Sequence, residues 1–264
     1  MKKFYLTLFF TYFLTVFSFS QNINFEKDSI ALLEMQPVSI TQLEIPYCNQ
    51  EDVISHTGFS LLYSNQHKQA HWVAYQLTKE KTAKAVERGS SFRPDPKVST
   101  GTANNNDYKG SGYDRGHLAP AADMAWSSKS MKSSFYYSNI SPQVPDFNRG
   151  IWKKLEALIR TWATDNDTIY VITGPILEEQ LPTIGKNKVS VPAAYYKVIL
   201  DYTLPTIKAI AFIIPNEKSN LPLTHYVVSV DEVEKITEID FFHRLPDEQE
   251  AIIERTVCKS LWSW

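Results

Sequence analysis

Tyr113-Asp-Arg-Gly-His-Leu-Ala-Pro120 is the first of three polar motifs that decide the fold of this chain. The second is Tyr137-Ser-Asn-Ile-Ser-Pro-Gln143, and the third is Asn148-Arg-Gly-Ile-Trp-Lys-Lys-Leu-Glu156. The third motif leads into the segment from Ile151 to Ala163, where apolar residues recur at the spacing of one helix face. We therefore predict a helix whose beginning carries polar, chemically active side chains.

On both sides of the motifs the sequence predicts β-strands. Before them, the segments Phe59 to Tyr63 and His71 to Leu77 have the composition of a hairpin. After them come three β-rich runs separated by turn residues, namely Thr168 to Ile176, Tyr195 to Tyr202 and Lys208 to Pro215. Because strands and helices do not alternate regularly, we predict an α+β fold with a mainly antiparallel central sheet flanked by helices.

The three motifs, taken together and in this order, resemble those of the DNA/RNA non-specific endonucleases of the ββα-metal superfamily. The resemblance extends from about His56 to Phe242. It implies that the fold contains a ββα-metal active-site motif. It also implies a magnesium-dependent endonuclease, with manganese as a substitute, that cuts DNA and RNA without sequence preference and leaves 5'-phosphate ends.

His117 is the residue that the resemblance assigns as general base. Hydrolysis of a phosphodiester needs a base for water and positive charge at the phosphate. A histidine with an ordinary pKa of about 6.5 can be neutral at working pH and take that proton. Because a single histidine in a domain is more often structural, the prediction for His117 depends on the motifs around it.

Asn148 matches the metal-binding asparagine of the family, and an amide oxygen suits a hard cation such as magnesium. Taken alone, Asn148 would be an ordinary helix N-cap, and the two roles compete for the same oxygen. Glu156, two helical turns further on, matches a residue that reaches a water on the metal. A surface ion pair with Arg160, four residues later, is the alternative for Glu156. Asn139 matches a residue that helps position the site.

Two arginines are predicted to bind the scissile phosphate, because the guanidinium fork suits phosphate oxygens and stays charged. Arg115 lies inside the first motif. Arg93 lies in a long polar stretch before it and rests on a looser match, so a solvated surface role is its alternative. We expect Asp114 to fix loop geometry rather than contact the metal.

The N-terminus has the layout of a secretory signal peptide. Met1-Lys2-Lys3 is followed by an apolar run from Phe4 to Phe19 that is too short to span a membrane, with small residues at Ser18 and Ser20. We therefore predict cleavage after Ser20, export to the periplasm or the medium, and no stable membrane association afterwards. Cleavage removes two lysines and no acids, which changes the formal net charge from −2 to −4 and excludes a protein that coats nucleic acid through bulk charge.

We divide the chain into a signal peptide at residues 1–20, an N-terminal extension at 21–55 and one nuclease domain at 56–264. Cys48 and Cys258 are the only cysteines. In an exported protein they could form one disulfide between the extension and the C-terminus, and the alternative is two buried free thiols. Two cysteines are too few for a cysteine zinc site.

Two other functions are compatible with the sequence. One is a catalytically inactive relative that only binds nucleic acid or a partner, although the candidate catalytic residues are all retained. The other is a phosphodiesterase for small nucleotides. DNA and RNA are the partners that we expect. The sequence is also compatible with a homodimer. It is compatible with an inhibitor protein too, but no feature of the sequence indicates one.

Overall fold

A seven-stranded antiparallel sheet forms the centre of the molecule. The computed structural model describes residues 27–264, and the signal peptide predicted at residues 1–20 lies outside them. The strands of the described residues are β1 (Val53–Ser55), β2 (Ser60–Ser64), β3 (Gln69–Thr78), β4 (Asp114–His117), β5 (Ile140–Gln143), β6 (Thr168–Pro175), β7 (Thr183–Ile184), β8 (Val189–Ser190), β9 (Ala194–Asp201), β10 (Lys208–Pro215) and β11 (Val227–Val228). The central sheet has the order β1-β2-β3-β6-β9-β10-β11, and every neighbouring pair is antiparallel.

Helices cover both faces of this sheet. They are α1 (residues 27–34), α2 (Asn105–Tyr108), α3 (Ser128–Ser134), α4 (Pro145–Phe147), α5 (Lys153–Asp165), α6 (Val230–Thr237) and α7 (Asp247–Arg255). The predicted helix from Ile151 to Ala163 corresponds to α5, which begins two residues later because a π-helical turn, Asn148–Trp152, precedes it. The predicted α+β fold with a mainly antiparallel sheet is confirmed.

The central strands have buried residues on both faces, because each face supports its own hydrophobic core. In β9, Tyr195 and Ile199 face the core that contains Leu155, Ile159 and Trp162 of α5. The alternate residues Tyr196, Val198 and Leu200 face the other core, which α1, α6 and α7 complete. Alternate side chains of a strand point to opposite faces, so burial on both sides requires the nearly continuous apolar runs seen in the sequence.

The segment before the hairpin is part of the domain rather than a loose extension. Leu32, Leu43 and Ile45 are each at most 4% exposed and lie in the core under α6 and α7.

Cys48 and Cys258 are free thiols, so the disulfide considered between the N-terminal extension and the C-terminus is wrong. The Cys258 sulfur lies 3.7 Å from the Ser29 hydroxyl, whereas Cys48 packs at the edge of the second core. Among residues 27–264, no helix is long and apolar enough to cross a membrane.

Strands β4 and β5 form a separate two-stranded sheet, and together with α5 they make the predicted ββα motif. His117 is opposite Ile140 in the register of this pair, and Gly116 is opposite Ser141. A Cβ atom on Gly116 would lie 2.1 Å from the buried Gln143 side chain. Close packing inside the motif therefore requires glycine at position 116. The next residue, His117, ends β4.

Candidate active site

The C-terminal end of β4 and the beginning of α5 enclose a cleft of about 490 Å³. The predicted residues Arg115, His117, Asn148 and Glu156 all line it. It also contains four cationic side chains that the sequence analysis did not assign, namely Arg88, Arg149, Lys153 and Arg160. The cleft thus has five permanent cations and a single carboxylate in its lining, although the whole chain has a net charge of −2; two of the cations, Arg149 and Arg160, are ion-paired with Asp114 and Asp123. Such a concentration of charge attracts an anionic ligand.

His117 is held by aromatic rings and has a free nitrogen. Its ring lies 4.9 Å from that of Phe135 and 5.6 Å from that of Phe92, measured between centroids. The Nε2 atom is buried and has no hydrogen-bond partner within the described part of the chain. Burial, with a smaller effect from the positive charge of Arg88, lowers the pKa of His117 to about 3. The imidazole is therefore neutral at physiological pH and can accept a proton.

Asn148 is not a helix N-cap but the C-cap residue of α4. It adopts helical backbone angles (φ −58°, ψ −47°) at the junction of α4 and the π-helical turn. Its side-chain nitrogen donates to Asp114 Oδ2 at 2.9 Å, which leaves the amide oxygen for another ligand. Asp114 also accepts two hydrogen bonds from Arg149, at 2.8 and 2.6 Å. Burial works in the opposite direction, but these hydrogen bonds hold the pKa of Asp114 below its usual value.

Glu156 lies on α5 with Lys153 and Arg160 on the same face of the helix. Arg160 forms its ion pair with Asp123, at 2.8 Å, so the alternative of an ion pair with Glu156 is wrong. Burial raises the pKa of Glu156, and the positive charge of Lys197 opposes this rise.

Lys197 is fully buried beneath the cleft. Its ammonium group donates to the Thr173 hydroxyl at 2.7 Å and to the Leu118 carbonyl at 3.5 Å, and it lies 4.8 Å from the centroid of the Trp152 ring. Leu118 follows His117 directly, so the ammonium group is in contact with the chain that carries the histidine. Burial lowers the pKa of Lys197.

Arg115 is fixed at the rim of the cleft. Its guanidinium group lies 4.8 Å from the Phe92 ring centroid and donates to Asn105 at 2.9 Å. The Tyr137 hydroxyl donates to the same Asn105 oxygen at 2.7 Å. Because these contacts already restrict the Arg115 side chain, it loses little conformational entropy when it binds an anion.

The structure does not bring the two remaining predicted residues into the cleft. Asn139 is fully buried, and its amide bonds to both backbone groups of Ala119 and to the Ser134 carbonyl. Arg93 packs its guanidinium group 6.0 Å from the centroid of the Tyr136 ring. Arg88, which the sequence analysis did not assign, lines the cleft, whereas Arg93 does not.

The chain is similar to known nucleases over most of its length. The family model for the DNA/RNA non-specific endonucleases matches residues 37–248. The chain is 35% identical to mitochondrial Endonuclease G of Bos taurus over 202 residues, covering 71% of this chain and 68% of that protein. It is 36% identical to Nuclease C1 of Cunninghamella echinulata var. echinulata over 214 residues, covering 74% and 84%.

A solved structure of the EndoG/EndoGI complex has a similar fold. The TM-score is 0.73 at 33% identity, and the match covers 80% of this chain and 92% of that one. The mitochondrial nuclease EXOG of Danio rerio is 35% identical over 211 residues, and the match spans 74% of this chain and 62% of that protein.

The predicted localisation, export to the periplasm or the medium, is wrong by these comparisons. Endonuclease G and EXOG are mitochondrial proteins. A lysine-containing apolar start is a pattern of composition and does not by itself identify a compartment. The matched region contains all three motifs and the cleft that they form. The chain belongs to the DNA/RNA non-specific endonuclease family and is a hydrolase that acts on nucleic acids.

Proposed function

We propose that this protein uses magnesium to hydrolyse the phosphodiester bonds of DNA and RNA without sequence preference, with His117 as general base and 5'-phosphate ends as products. The observation that carries the proposal is the buried, unpartnered Nε2 atom of His117 in a cleft lined by five cationic side chains. An unpartnered buried nitrogen is costly to stability unless a ligand or water uses it.

His117 would remove a proton from the attacking water. Its lowered pKa keeps the imidazole neutral before the reaction, so no proton has to leave first. The rings of Phe92 and Phe135 fix its orientation, which reduces the entropy lost on reaching the reactive geometry. The same apolar surroundings disfavour the imidazolium, so the proton would pass on to solvent after each cycle.

The donor groups in the cleft fit a hard divalent cation. The Asn148 amide oxygen is directed by the hydrogen bond from its nitrogen to Asp114, and Mg²⁺ prefers oxygen ligands and commonly takes few from the protein. A cation held there would supply positive charge to a phosphoryl oxygen in the transition state. Glu156, which lies on α5 eight residues after Asn148, would hold water in place by accepting hydrogen bonds. Mn²⁺ also prefers oxygen and would substitute for Mg²⁺.

Arg115, Arg88, Arg149 and Lys153 would bind phosphate oxygens around the reacting group. Contacts to phosphate carry no information about base sequence, which supports cleavage without sequence preference. Because phosphates are common to DNA and RNA, the same contacts support both substrates. Charge that is already positioned before the reaction stabilises the developing negative charge with little reorganisation.

The decisive experiment measures degradation of supercoiled plasmid and structured RNA with magnesium, with EDTA, and by the His117→Ala variant. We expect both substrates to be lost only with the intact protein and magnesium, and kcat to fall by about 10²–10⁴ in the variant. His225→Ala is the matched control, because His225 is exposed and outside the cleft. Cleavage that survives His117→Ala would disprove the role of His117, and full activity in EDTA would disprove the metal dependence.

A further inference from the structure

A second pocket, of about 410 Å³, lies on the other side of α3 from the cleft. Its charged walls are formed by Lys97 from the long loop and by Lys129 and Lys132 from α3, with His56 and Tyr136 between them. We call these five residues the basic pocket. Lys129 and Lys132 are three positions apart and therefore point to the same side of the helix.

The basic pocket is joined to the cleft by two pairs of adjacent residues. Phe92 packs against His117 and Arg115, and the next residue, Arg93, packs over the ring of Tyr136 in the basic pocket. Phe135 also packs against His117, and the residue that follows it is Tyr136. The cleft and the basic pocket are therefore connected through two short chain segments, residues 92–93 and residues 135–136.

The positive charge of the basic pocket is not neutralised by the protein. No carboxylate lines it, and within residues 27–264 no ion pair involves Lys97, Lys129 or Lys132. The nearby carboxylate of Asp95 is 3% exposed and is occupied by His56 at 2.7 Å and by the Ser138 hydroxyl. Lys129 and Lys132 are exposed, and of the three ammonium groups in the described residues only that of Lys97 donates a hydrogen bond, to the Ser55 carbonyl.

We propose that the basic pocket binds backbone phosphates of a long DNA or RNA strand whose scissile bond lies in the cleft. This inference rests on the proposed nuclease function and adds a second contact region for polymeric substrates. An acidic protein is disfavoured, because Pro96 and the ring of Tyr136 are the main apolar groups in the lining and a protein interface needs an apolar centre.

The first test measures salt dependence of binding in a His117→Ala background, which prevents cleavage. Fluorescence anisotropy with a duplex of about 40 base pairs, from about 50 to about 200 mM KCl, gives the slope of log Kd against log salt. We expect Lys129→Gln/Lys132→Gln to reduce this slope by about 1 for each lysine. The double variant Lys27→Gln/Lys235→Gln is the control, because both lysines are exposed on α1 and α6 and removal leaves the same net charge.

The second test compares substrates of different length with the active enzyme. We expect the ratio of kcat/KM on the long duplex to kcat/KM on an oligomer of about six nucleotides to fall about tenfold in the Lys129/Lys132 variant. Lys129→Arg/Lys132→Arg keeps the charge and should restore the ratio. A slope and a ratio equal to those of the Lys27/Lys235 control would overturn the proposal. Failure of the unaltered enzyme to cut the long duplex with magnesium would instead overturn the proposed function.

Discussion

Asn148 and Asp114 are joined by a hydrogen bond of 2.9 Å from the side-chain amide nitrogen to a carboxylate oxygen. Asp114 begins β4, and Asn148 lies at the junction that leads into α5, so this bond connects the strand and the helix of the ββα motif. The bond determines which end of the amide faces the cleft. Groups that orient a metal ligand in this way contribute to metal affinity although they do not touch the metal.

Replacing Asp114 should therefore weaken the metal site without removing a ligand. In Asp114→Ala, the Asn148 amide can rotate and Arg149 loses its partner, so we expect the magnesium concentration for half-maximal activity to rise about tenfold to a hundredfold. A magnesium titration of plasmid cleavage measures this. Lys218→Ala, which removes an exposed ion pair with Asp146, is the control and should leave the titration unchanged. An unchanged titration in Asp114→Ala would refute the orienting role.

Arg88 should contribute more to cleavage than Arg93. Arg88 lines the cleft, whereas Arg93 packs over Tyr136 outside it. Loss of a charged contact to phosphate costs about 1.5–3 kcal/mol, so Arg88→Ala should lower kcat/KM on a short oligonucleotide by about tenfold to a hundredfold. Arg93→Ala should have a smaller effect in the same assay. The reverse order would show that the loop closes differently around substrate.

The sequence predicted the parts of the site that lie in local motifs. His117, Arg115, Asn148 and Glu156 lie close together in the chain, and the helix spacing alone places Glu156 near the Asn148 end of α5. The same helix pattern could have identified Lys153 and Arg160, which lie three residues before and four residues after Glu156. Spacing alone does not assign them to the site, because it does not show which face of an exposed helix borders a cleft.

Arg88 and Lys197 could not be found in this way. Arg88 reaches the cleft from a loop far from the motifs, and no periodicity fixes the path of such a loop. Lys197 and Asp201 are the two charged residues in the buried part of β9, and an interior lysine in an apolar strand signals a buried partner only after the sheet is assembled. The alternative for Asn148, a helix N-cap, failed because Asn148 has helical backbone angles at the C-terminal end of α4, before a kink at Gly150 (φ −102°, ψ −110°).

Asn139 should act through the stability of the site. Its amide makes three hydrogen bonds that tie Ala119, two residues after His117, to the end of α3. Asn139→Ala would leave buried backbone groups unpaired, at about 1–3 kcal/mol each, so we expect a loss of about 3 kcal/mol in the free energy of unfolding. Urea denaturation measures it, with the exposed Asn220→Ala as control. A loss below about 0.5 kcal/mol would contradict this role.

The positive charge of Lys197 should move the acidic limb of the pH-rate profile to lower pH. Its charge opposes the effect of burial on the pKa of Glu156, so removing the charge raises that pKa further. In Lys197→Met we expect the acidic limb of the pH-rate profile to move to higher pH, because less Glu156 is ionised at any given pH. Thermal stability should also fall, because the Thr173 hydroxyl and the Leu118 carbonyl lose their buried donor, so the pH-rate profile is measured well below the Tm of the variant. An acidic limb at the original pH would refute this coupling.

A carboxylate cluster away from the cleft should make stability depend on pH. Asp231, Glu234 and Glu254 bring oxygen atoms within 4.8 Å of one another on α6 and α7. Burial, with added repulsion from Glu234 and Glu250, raises the pKa of Glu254 from 4.5 to about 9. Between these values the unfolded chain releases a proton that the folded protein keeps, so stability falls as pH rises, by up to about 1.4 kcal/mol per pH unit.

Glu254→Gln removes the group that must stay protonated. The variant should match the unaltered protein near pH 5 and exceed its stability by on the order of 2–3 kcal/mol near pH 8, with a correspondingly higher Tm. Thermal unfolding at both pH values measures the difference. Glu248→Gln, at an exposed position of the same helix, is the control and should shift Tm equally at both. If Glu254→Gln changed the stability by the same amount at both pH values, Glu254 would have to be ionised in the folded protein. The cluster would then be stabilised by something other than a retained proton.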